Sequence, residues 1–309
     1  MKKIIAVGLL SIMGLAGCAN TPAPSVNDYP TARPLIALPL KPSVQQELAI
    51  KRLTDILSAV DLTEEQRAEL HFQRGVRFDA MGLNNLALYD FNQSLKYKQD
   101  FVESYNYLGV YYTLNQEFPS AYDAFDSVLE LEPEHSFAVF NRGIALYYGM
   151  RPELAIEDFK RYQSKKDNDP YRAIWLYLAE REIDEAQAKQ RLTASIDKIS
   201  DQTWAKTVLG LYLERISINQ FLSSLAIGVK DEVELAHRLC EAYFYLAKYY
   251  QYKQQEQQAK VYFKLALATN VYEFVEHRYA TLELELATHK ARTEALIQAR
   301  KAAREPALN

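Results

Sequence analysis

Glycine, proline and cysteine are all scarce in this chain of 309 residues. It has 10 glycines, three of them in the first 17 residues, where a usual frequency of ~7% would give about twice as many overall. No proline lies between Pro170 and Pro306, and no Asn-Gly or Asp-Gly dipeptide occurs. Many-stranded sandwiches, barrels and propellers need such turns about every ten residues. These absences exclude those folds and predict an all-α protein.

The first residues are typical of an export signal. Lys2 and Lys3 precede an apolar run from Ile4 to Leu15, which is shorter than the ~20 apolar residues of a membrane-spanning helix. The stretch LAGC at 15–18 resembles the lipobox of bacterial lipoproteins. The resemblance implies that 1–17 is a signal peptide and that Cys18 carries the lipid. The alternative is an ordinary signal peptide with an incidental cysteine.

The residue after Cys18 is Ala19. In enterobacteria-like systems an Asp at this position retains lipoproteins in the inner membrane. The resemblance therefore implies a lipid anchor in the inner leaflet of the outer membrane, facing the periplasm, and makes the inner membrane the less favoured location. A chain held by two or more acyl groups stays on a membrane stably.

Removal of the signal peptide also removes two lysines, so the net charge falls from −4 to −6. An acidic balance of this size argues against a broad nucleic-acid-binding surface, and we expect no nucleic-acid partner. If Cys18 is lipidated, Cys240 is the one remaining thiol, so no intramolecular disulfide can form. The 49% of hydrophobic residues suffice for one large core or two smaller ones.

Residues 18–42 contain six prolines and predict an extended tether without a core of its own. From Val44 the apolar residues follow a spacing of three and four, which predicts helices over 43–67. Thr63 and Gln66 resemble a capping box that opens the next helix.

Three columns of residues then recur with a period of 34. They are Gly75, Gly109 and Gly143; Ala87, Ala121 and Ala155; and Phe91, Phe125 and Phe159. Small residues let two antiparallel helices approach closely, and the aromatic residues fill the space to the next unit. The pattern is that of the tetratricopeptide repeat (TPR), and it predicts an all-α, TPR-type helical solenoid of helix-turn-helix repeats with flanking helices.

The predicted organisation has repeats at 68–101, 102–135 and 136–169, which together span 68–169. Degenerate helical repeats follow at 170–239, and Tyr243, Ala247 and Ala259 place a further TPR repeat at 240–273. For 274–309 we expect a capping helix, from Phe274 to Ala287, and a basic tail. That tail is expected to be a solvated, loosely docked helix; a membrane-surface or partner-binding tail is the alternative.

Catalytic signatures are missing from the sequence. It contains no Gly-x-Ser-x-Gly elbow, phosphate-binding loop, His-Glu-x-x-His or Cys-x-x-Cys, and its five histidines show no paired metal-ligand spacing. His237 and Cys240 share a helix face, but a core thiol beside a surface histidine is the plainer interpretation. Glu283 and Glu285 suit a solvated helix better than acid–base catalysis. We expect a non-enzyme without cofactor or metal.

In TPR proteins, partners usually lie along a concave face formed by the first helix of each repeat. The equivalent positions here form an apolar, mildly acidic surface, which favours an apolar or basic segment of a partner over a C-terminal carboxylate. Packing of Phe137, Phe140 and Tyr147 against a neighbouring helix or subunit is the alternative. The predicted concave-face residues are Glu69, Phe72, Val76, Asp79, Glu103, Asn106, Val110, Thr113, Phe137, Phe140, Ile144, Tyr147 and Tyr148.

The combination of lipobox, tether and helical repeats resembles the NlpI-type lipoproteins of Gram-negative bacteria. The stretches that carry the resemblance are AYDAFDSVLEL at 121–131, NRGIALYYG at 141–149, WLYLAE at 175–180 and FVEHRY at 274–279. The tether and the basic tail depart from the family pattern.

The resemblance implies a non-catalytic, homodimeric adaptor that binds a periplasmic carboxy-terminal processing protease (Prc-like) and peptidoglycan hydrolases. Such an adaptor regulates the turnover of a murein endopeptidase, and through it cell-wall growth and division. The alternatives are a TPR lipoprotein subunit of an outer-membrane secretion or assembly complex, and a hydrolase using Cys240.

Overall fold

A computed structural model describes residues 33–59, 61–200 and 203–304. The predicted signal peptide (1–17) and the predicted lipidation site, Cys18, lie outside these residues. Within the described ranges the chain forms fourteen α-helices and no strand. The helices are α1 (Val44–Leu57), α2 (Glu64–Ala80), α3 (Asn84–Tyr97), α4 (Val102–Leu114), α5 (Phe118–Leu131), α6 (Ser136–Tyr148), α7 (Pro152–Ser164), α8 (Pro170–Glu180), α9 (Glu185–Ile196), α10 (Lys206–Tyr212), α11 (Ile218–Ser224), α12 (Glu232–Tyr252), α13 (Glu256–Leu267) and α14 (Val275–Arg304).

The three repeats are helical hairpins joined by the same turn. Its left-handed residue is Gly82, Gln116 or Met150, with φ of 72°, 63° and 60°, and these residues are 34 positions apart. After each of them, one backbone N–H donates to the carbonyl five residues earlier, at 2.8–2.9 Å. This is the hydrogen bond of a Schellman cap, which ends the first helix and reverses the chain. The same turn recurs at Glu214 and Gln254, so the α10–α11 pair is a shortened version of the hairpin.

The glycine column of the repeat is required for close packing of the helices. A Cβ added to Gly109 would lie 2.6 Å from the ring of Phe125, closer than real Cβ contacts come. The equivalent glycines, Gly75 and Gly143, would place a Cβ 2.8 Å from Phe91 and Phe159. All three phenylalanines are fully buried, as are the alanines at 87, 121 and 155. The prediction of an all-α, TPR-type solenoid is confirmed.

The C-terminal half closes the solenoid with long helices. α12 begins at Glu232, eight residues before the predicted start of its repeat, and buries twelve side chains. α14 is one helix of 30 residues that packs on α13 and α12 and reaches across to α4. The helix predicted for 274–287 is therefore more than a cap. In its continuation every residue from 288 to 300 is exposed, and the chain stays helical to Arg304.

The described part of the predicted tether, 33–42, has no regular secondary structure, but it packs against the helical domain. The backbone N–H of Leu40 donates to the Thr269 carbonyl at 2.9 Å, and the Tyr243 hydroxyl donates to the Leu35 carbonyl at 2.5 Å. Ala37 is buried in the main core cluster. Residues 34–41 thus lie against α12 and the end of α13, because Ala37, the Leu35 carbonyl and the Leu40 N–H find partners there. In the described part of the chain, no helix has both the length and the hydropathy that crossing a membrane requires.

Candidate functional site

An open groove of about 610 Å³ lies on the inner side of the solenoid. One wall comes from the first helices of the repeats, with Glu103 and Asn106 on α4 and Phe140 on α6. The opposite wall comes from Glu241 on α12 and from the start of α14. The groove therefore exists only because α12 and α14 fold back over the concave face.

The α6–α8 end of the groove is aromatic. Phe140 stacks on Tyr162 with ring centroids 4.6 Å apart, and Trp175 meets Phe140 edge-on at 6.0 Å. Phe137, by contrast, is 63% exposed at the edge of the groove. Such an exposed ring beside a packed aromatic wall offers a partner a large apolar contact area.

Carboxylates dominate the polar side of the groove. Burial raises the pKa of Glu276, while burial and the neighbouring Glu276 raise the pKa of Glu241. The Tyr245 hydroxyl donates to Glu276 Oε1 and the Tyr171 hydroxyl donates to Glu241 Oε2, both at 2.8 Å. Burial also raises the pKa of Asp79, against the opposing effect of Arg278. The groove is thus rich in carboxyl groups, and a cation bound beside Glu241 and Glu276 would favour their ionised forms.

Six of the predicted concave-face residues line this groove. They are Asp79, Glu103, Asn106, Val110, Phe137 and Phe140. The Asn141 side chain, which the sequence reasoning missed, donates to Asn106 Oδ1 at 3.1 Å and links neighbouring repeats. Of these predicted residues, Glu103 and Phe137 are exposed, while Asn106 is half-buried.

The prediction that the other concave-face positions offer an exposed surface needs correction. Phe72 and Val76 are half-buried against the Phe91 cluster, whereas Glu69, on the first turns of α2, is exposed. Thr113, Ile144 and Tyr148 are buried, and Tyr147 is half-buried against the main core. The reason is α14, since Tyr279 stacks on Tyr148 at 5.2 Å. The chain occupies this part of its own concave face.

Even some groove-lining residues have structural roles. Asp79 is buried and accepts hydrogen bonds from Tyr111, at 2.8 Å, and from Arg278, at 2.5 Å. Phe140 and Val110 are also buried, 8% and 6% exposed. The alternative interpretation, packing against a neighbouring helix, is therefore correct for Phe140. Its replacement by Ala would test the fold as much as binding.

Cys240 is fully buried, and burial raises its pKa well above the ordinary value of a thiol. His237 is half-buried and packs on Phe274, with ring centroids 4.7 Å apart. A buried, protonated thiol is a poor nucleophile. Among the described residues, no group of three or more His, Cys, Asp or Glu side chains is placed to hold a metal ion.

The sequence reasoning missed the groove residues contributed by the closing helices, chiefly Glu241, Glu276 and Arg278. The prediction that Glu283 lies on a solvated helix face is wrong, because its side chain is 5% exposed and ion-paired with Lys248. Only the stretch FVEHRY at 274–279, which resembles NlpI-type lipoproteins, drew attention to the start of α14. A buried carboxylate on a helix has no signature in a single sequence.

No protein-family model matches the chain. Solved structures with a similar fold include PilF of Pseudomonas aeruginosa, at 18% identity and a TM-score of 0.45, covering 70% of this chain and 90% of that one. YrrB, described as a TPR protein with an unusual peptide-binding site, is 14% identical, with a TM-score of 0.40 and coverages of 78% and 98%. MamA is 18% identical, with a TM-score of 0.45 and coverages of 52% and 96%. These values are too low to carry an argument about function.

Proposed function

We propose that the protein is a non-catalytic adaptor that binds a segment of a partner protein in the groove between α4, α6, α12 and α14. The open acidic and aromatic groove is the observation that carries this proposal. Glu103 and Phe137 leave its edge accessible, and its carboxylates favour a segment with basic and apolar side chains. The buried, protonated Cys240 supports a non-catalytic role.

The identity of the partners comes from the resemblance to NlpI-type lipoproteins. On that basis the protein is a homodimer, anchored through Cys18 in the inner leaflet of the outer membrane. It brings a Prc-like processing protease and peptidoglycan hydrolases together in the periplasm. Two binding surfaces on one anchored scaffold raise the effective concentration of protease and substrate, which accelerates degradation of the endopeptidase.

Crosslinking in intact envelopes, followed by purification of the protein, tests this function. We expect a processing protease and murein hydrolases among the crosslinked proteins, and we expect the purified protein to accelerate cleavage of the endopeptidase by the protease. Capture of a secretin or of barrel-assembly subunits instead would contradict the adaptor role. So would release of fragments from murein by the purified protein, if Cys240→Ala abolished it.

Two variants tie the binding to the groove. Phe137→Ser removes an exposed ring at the groove edge, and Met150→Ser removes an apolar side chain that is 86% exposed in a turn outside the groove. Neither side chain contributes to the core, so both variants are expected to fold. Phe137→Ser should weaken partner capture, whereas Met150→Ser should leave it unchanged. Equal effects would place the binding surface elsewhere.

A further inference from the structure

The carboxylates of the groove divide into two classes. Asp79 is ion-paired with Arg278, and Asp169 lies within 4 Å of Arg172 and Lys166. The second class comprises Glu103, Glu241, Glu273 and Glu276, which form no ion pair within the described part of the chain. Glu103 and Glu273 are exposed, so water solvates them. Glu276 is 6% exposed and Glu241 is half-buried, so incomplete solvation opposes ionisation of this pair.

Neutral donors partly stabilise the deeper pair. Tyr245 donates one hydroxyl hydrogen bond to Glu276 and Tyr171 donates one to Glu241, and the nearby Trp204 indole opposes the rise in the pKa of Glu241. The charged groups that face the pair are few. Arg238 is near enough to act on Glu241, but it is already paired with Glu234 at 3.0 Å, and Arg278 is held by Asp79. Within the described part of the chain, no cationic side chain therefore forms an ion pair with Glu241 or Glu276.

The walls beside the pair suit the stem of a long basic side chain. Phe274 and Val275 flank Glu276 on the α14 side of the groove, and both are half-buried, so part of each side chain is open to a ligand. Lysine and arginine bury their methylene groups along such apolar surfaces while the cationic head reaches polar partners, and aromatic faces attract the head as well.

We propose that Glu241 and Glu276 form the binding site for one lysine or arginine side chain of the segment that docks in the groove. The cationic head lies between the two carboxylates, and the aliphatic stem packs on Phe274 and Val275. This inference rests on the proposed function and gives the bound segment its defining residue. A C-terminal carboxylate does not fit this position, because the two glutamates would repel it.

Proton release follows from this geometry. Burial raises the pKa values of both carboxyl groups, and repulsion by Glu276 raises that of Glu241 further, so the empty site retains a proton to higher pH than a free glutamate does. A cation bound between them favours the doubly ionised form. Binding near neutral pH should therefore release a proton, and the apparent binding enthalpy should differ between phosphate and Tris buffers by an amount proportional to the protons released.

Selection from a display library of random linear dodecapeptides, with the purified full-length protein as target, tests the inference. We expect enriched peptides to carry one lysine or arginine flanked by apolar residues. In isothermal titration with a synthetic copy of an enriched peptide, Glu241→Gln and Glu276→Gln should each weaken binding at least tenfold. Glu273→Gln is the matched control: Glu273 is an exposed groove carboxylate, so its replacement should cost less than about threefold.

The peptide offers a second test that does not depend on folding of the variants. Replacement of its arginine by citrulline, or of its lysine by norleucine, keeps the stem and removes the charge, and should weaken binding to the same extent. Enriched peptides that need Phe137 but have no essential cation would overturn this inference and leave groove binding intact. If no peptide is enriched, or if binding ignores Phe137→Ser, the proposed groove function itself fails.

Discussion

The repeats from α2 to α7 and the closing helices α12 and α14 achieve their packing over very different distances along the chain. In the repeats, Gly109 contacts Phe125 and Arg142 binds Asp158, each across 16 residues. In the closing helices, Tyr148 donates to Glu283 across 135 residues, and Arg278 reaches Asp79 across 199. The repeats use the same short-range contacts in each unit, whereas the closing helices depend on long-range contacts that occur only once.

The two regions also differ in how strongly a substitution affects the stability of the fold. A repeat contacts only its neighbours, so damage to one interface leaves the others in place. The closing helices carry a buried ion pair and buried titratable groups, whose free energies change sharply when a partner is lost. We therefore expect the largest effects of substitution in α12 and α14.

The Lys248–Glu283 pair should give the largest effect. Its Nζ–Oε1 distance is 2.6 Å and both side chains are about 5% exposed. Although burial by itself lowers the pKa of Lys248, the Glu283 carboxylate raises it above the usual value. Glu283→Gln leaves a buried ammonium without an anion, so the free energy of unfolding should fall by about 3–5 kcal/mol in urea denaturation.

Two companions make this measurement specific. The pair Lys51–Asp55 on α1 has a similar distance, 2.6 Å, but its side chains are 69% and 62% exposed. Asp55→Asn should therefore cost less than about 0.5 kcal/mol. The double variant Lys248→Met/Glu283→Leu removes both charges and should be more stable than Glu283→Gln alone. A loss below about 1 kcal/mol for Glu283→Gln would mean that the closing helices contribute little to stability.

His277 on α14 should make the stability depend on pH. Burial lowers its pKa to about 4, against the opposing effect of the Leu267 carbonyl, which lies 3.2 Å from Nε2. In the unfolded chain the imidazole titrates near ~6.5, so between pH 6.5 and 4 the unfolded state binds the proton first. Stability from this group is therefore present above pH 6.5 and lost as the pH falls, by about 3 kcal/mol at pH 4.

His277→Gln retains a donor for the Leu267 carbonyl but cannot titrate, so its stability should fall less than that of the native protein between pH 6.5 and 4. The carboxyls with raised pKa values act in the opposite direction, but they are present in both proteins and cancel in the comparison. His289→Gln, at an exposed position of the same helix, should follow the native curve. Parallel curves for His277→Gln and the native protein in urea titrations at several pH values would exclude this role.

The same contrast explains what the sequence could predict. Gly75, Gly109 and Gly143 fall in one column because each repeat needs the same close approach, and periodicity reveals such a requirement. The position of Glu283 depends on how α14 crosses α12 and α6, which happens once and leaves no period. Only one wall of the groove could therefore be predicted. The repeat pattern places Glu103, Asn106 and Phe137 on the concave face, whereas no pattern indicates Glu241 and Glu276. The contact of Leu40 with Thr269, across 229 residues, is equally invisible in a single sequence.

Two glycines give the smallest effect but the clearest contrast between repeat and non-repeat packing. Gly109 lies in a helix against Phe125, and an added Cβ would come within 2.6 Å of the ring, so Gly109→Ala should destabilise the fold by about 1–3 kcal/mol. Gly210 is also helical and buried, but an added Cβ would come no closer than 3.8 Å, to Ile216. Because alanine favours helix over glycine, Gly210→Ala should stabilise the protein by about 0.5–1 kcal/mol.

Thermal and urea denaturation of both variants decides whether the 34-residue pattern marks a steric requirement. The helix propensity gained is the same at the two sites, so the difference between the variants isolates the contact with the aromatic ring. Destabilisation by Gly109→Ala together with stabilisation by Gly210→Ala would show that the glycine column is needed for close packing. Stabilisation by both would show that Phe125 moves aside easily, and the repeats would then owe their order to the turns at Gly82, Gln116 and Met150 instead.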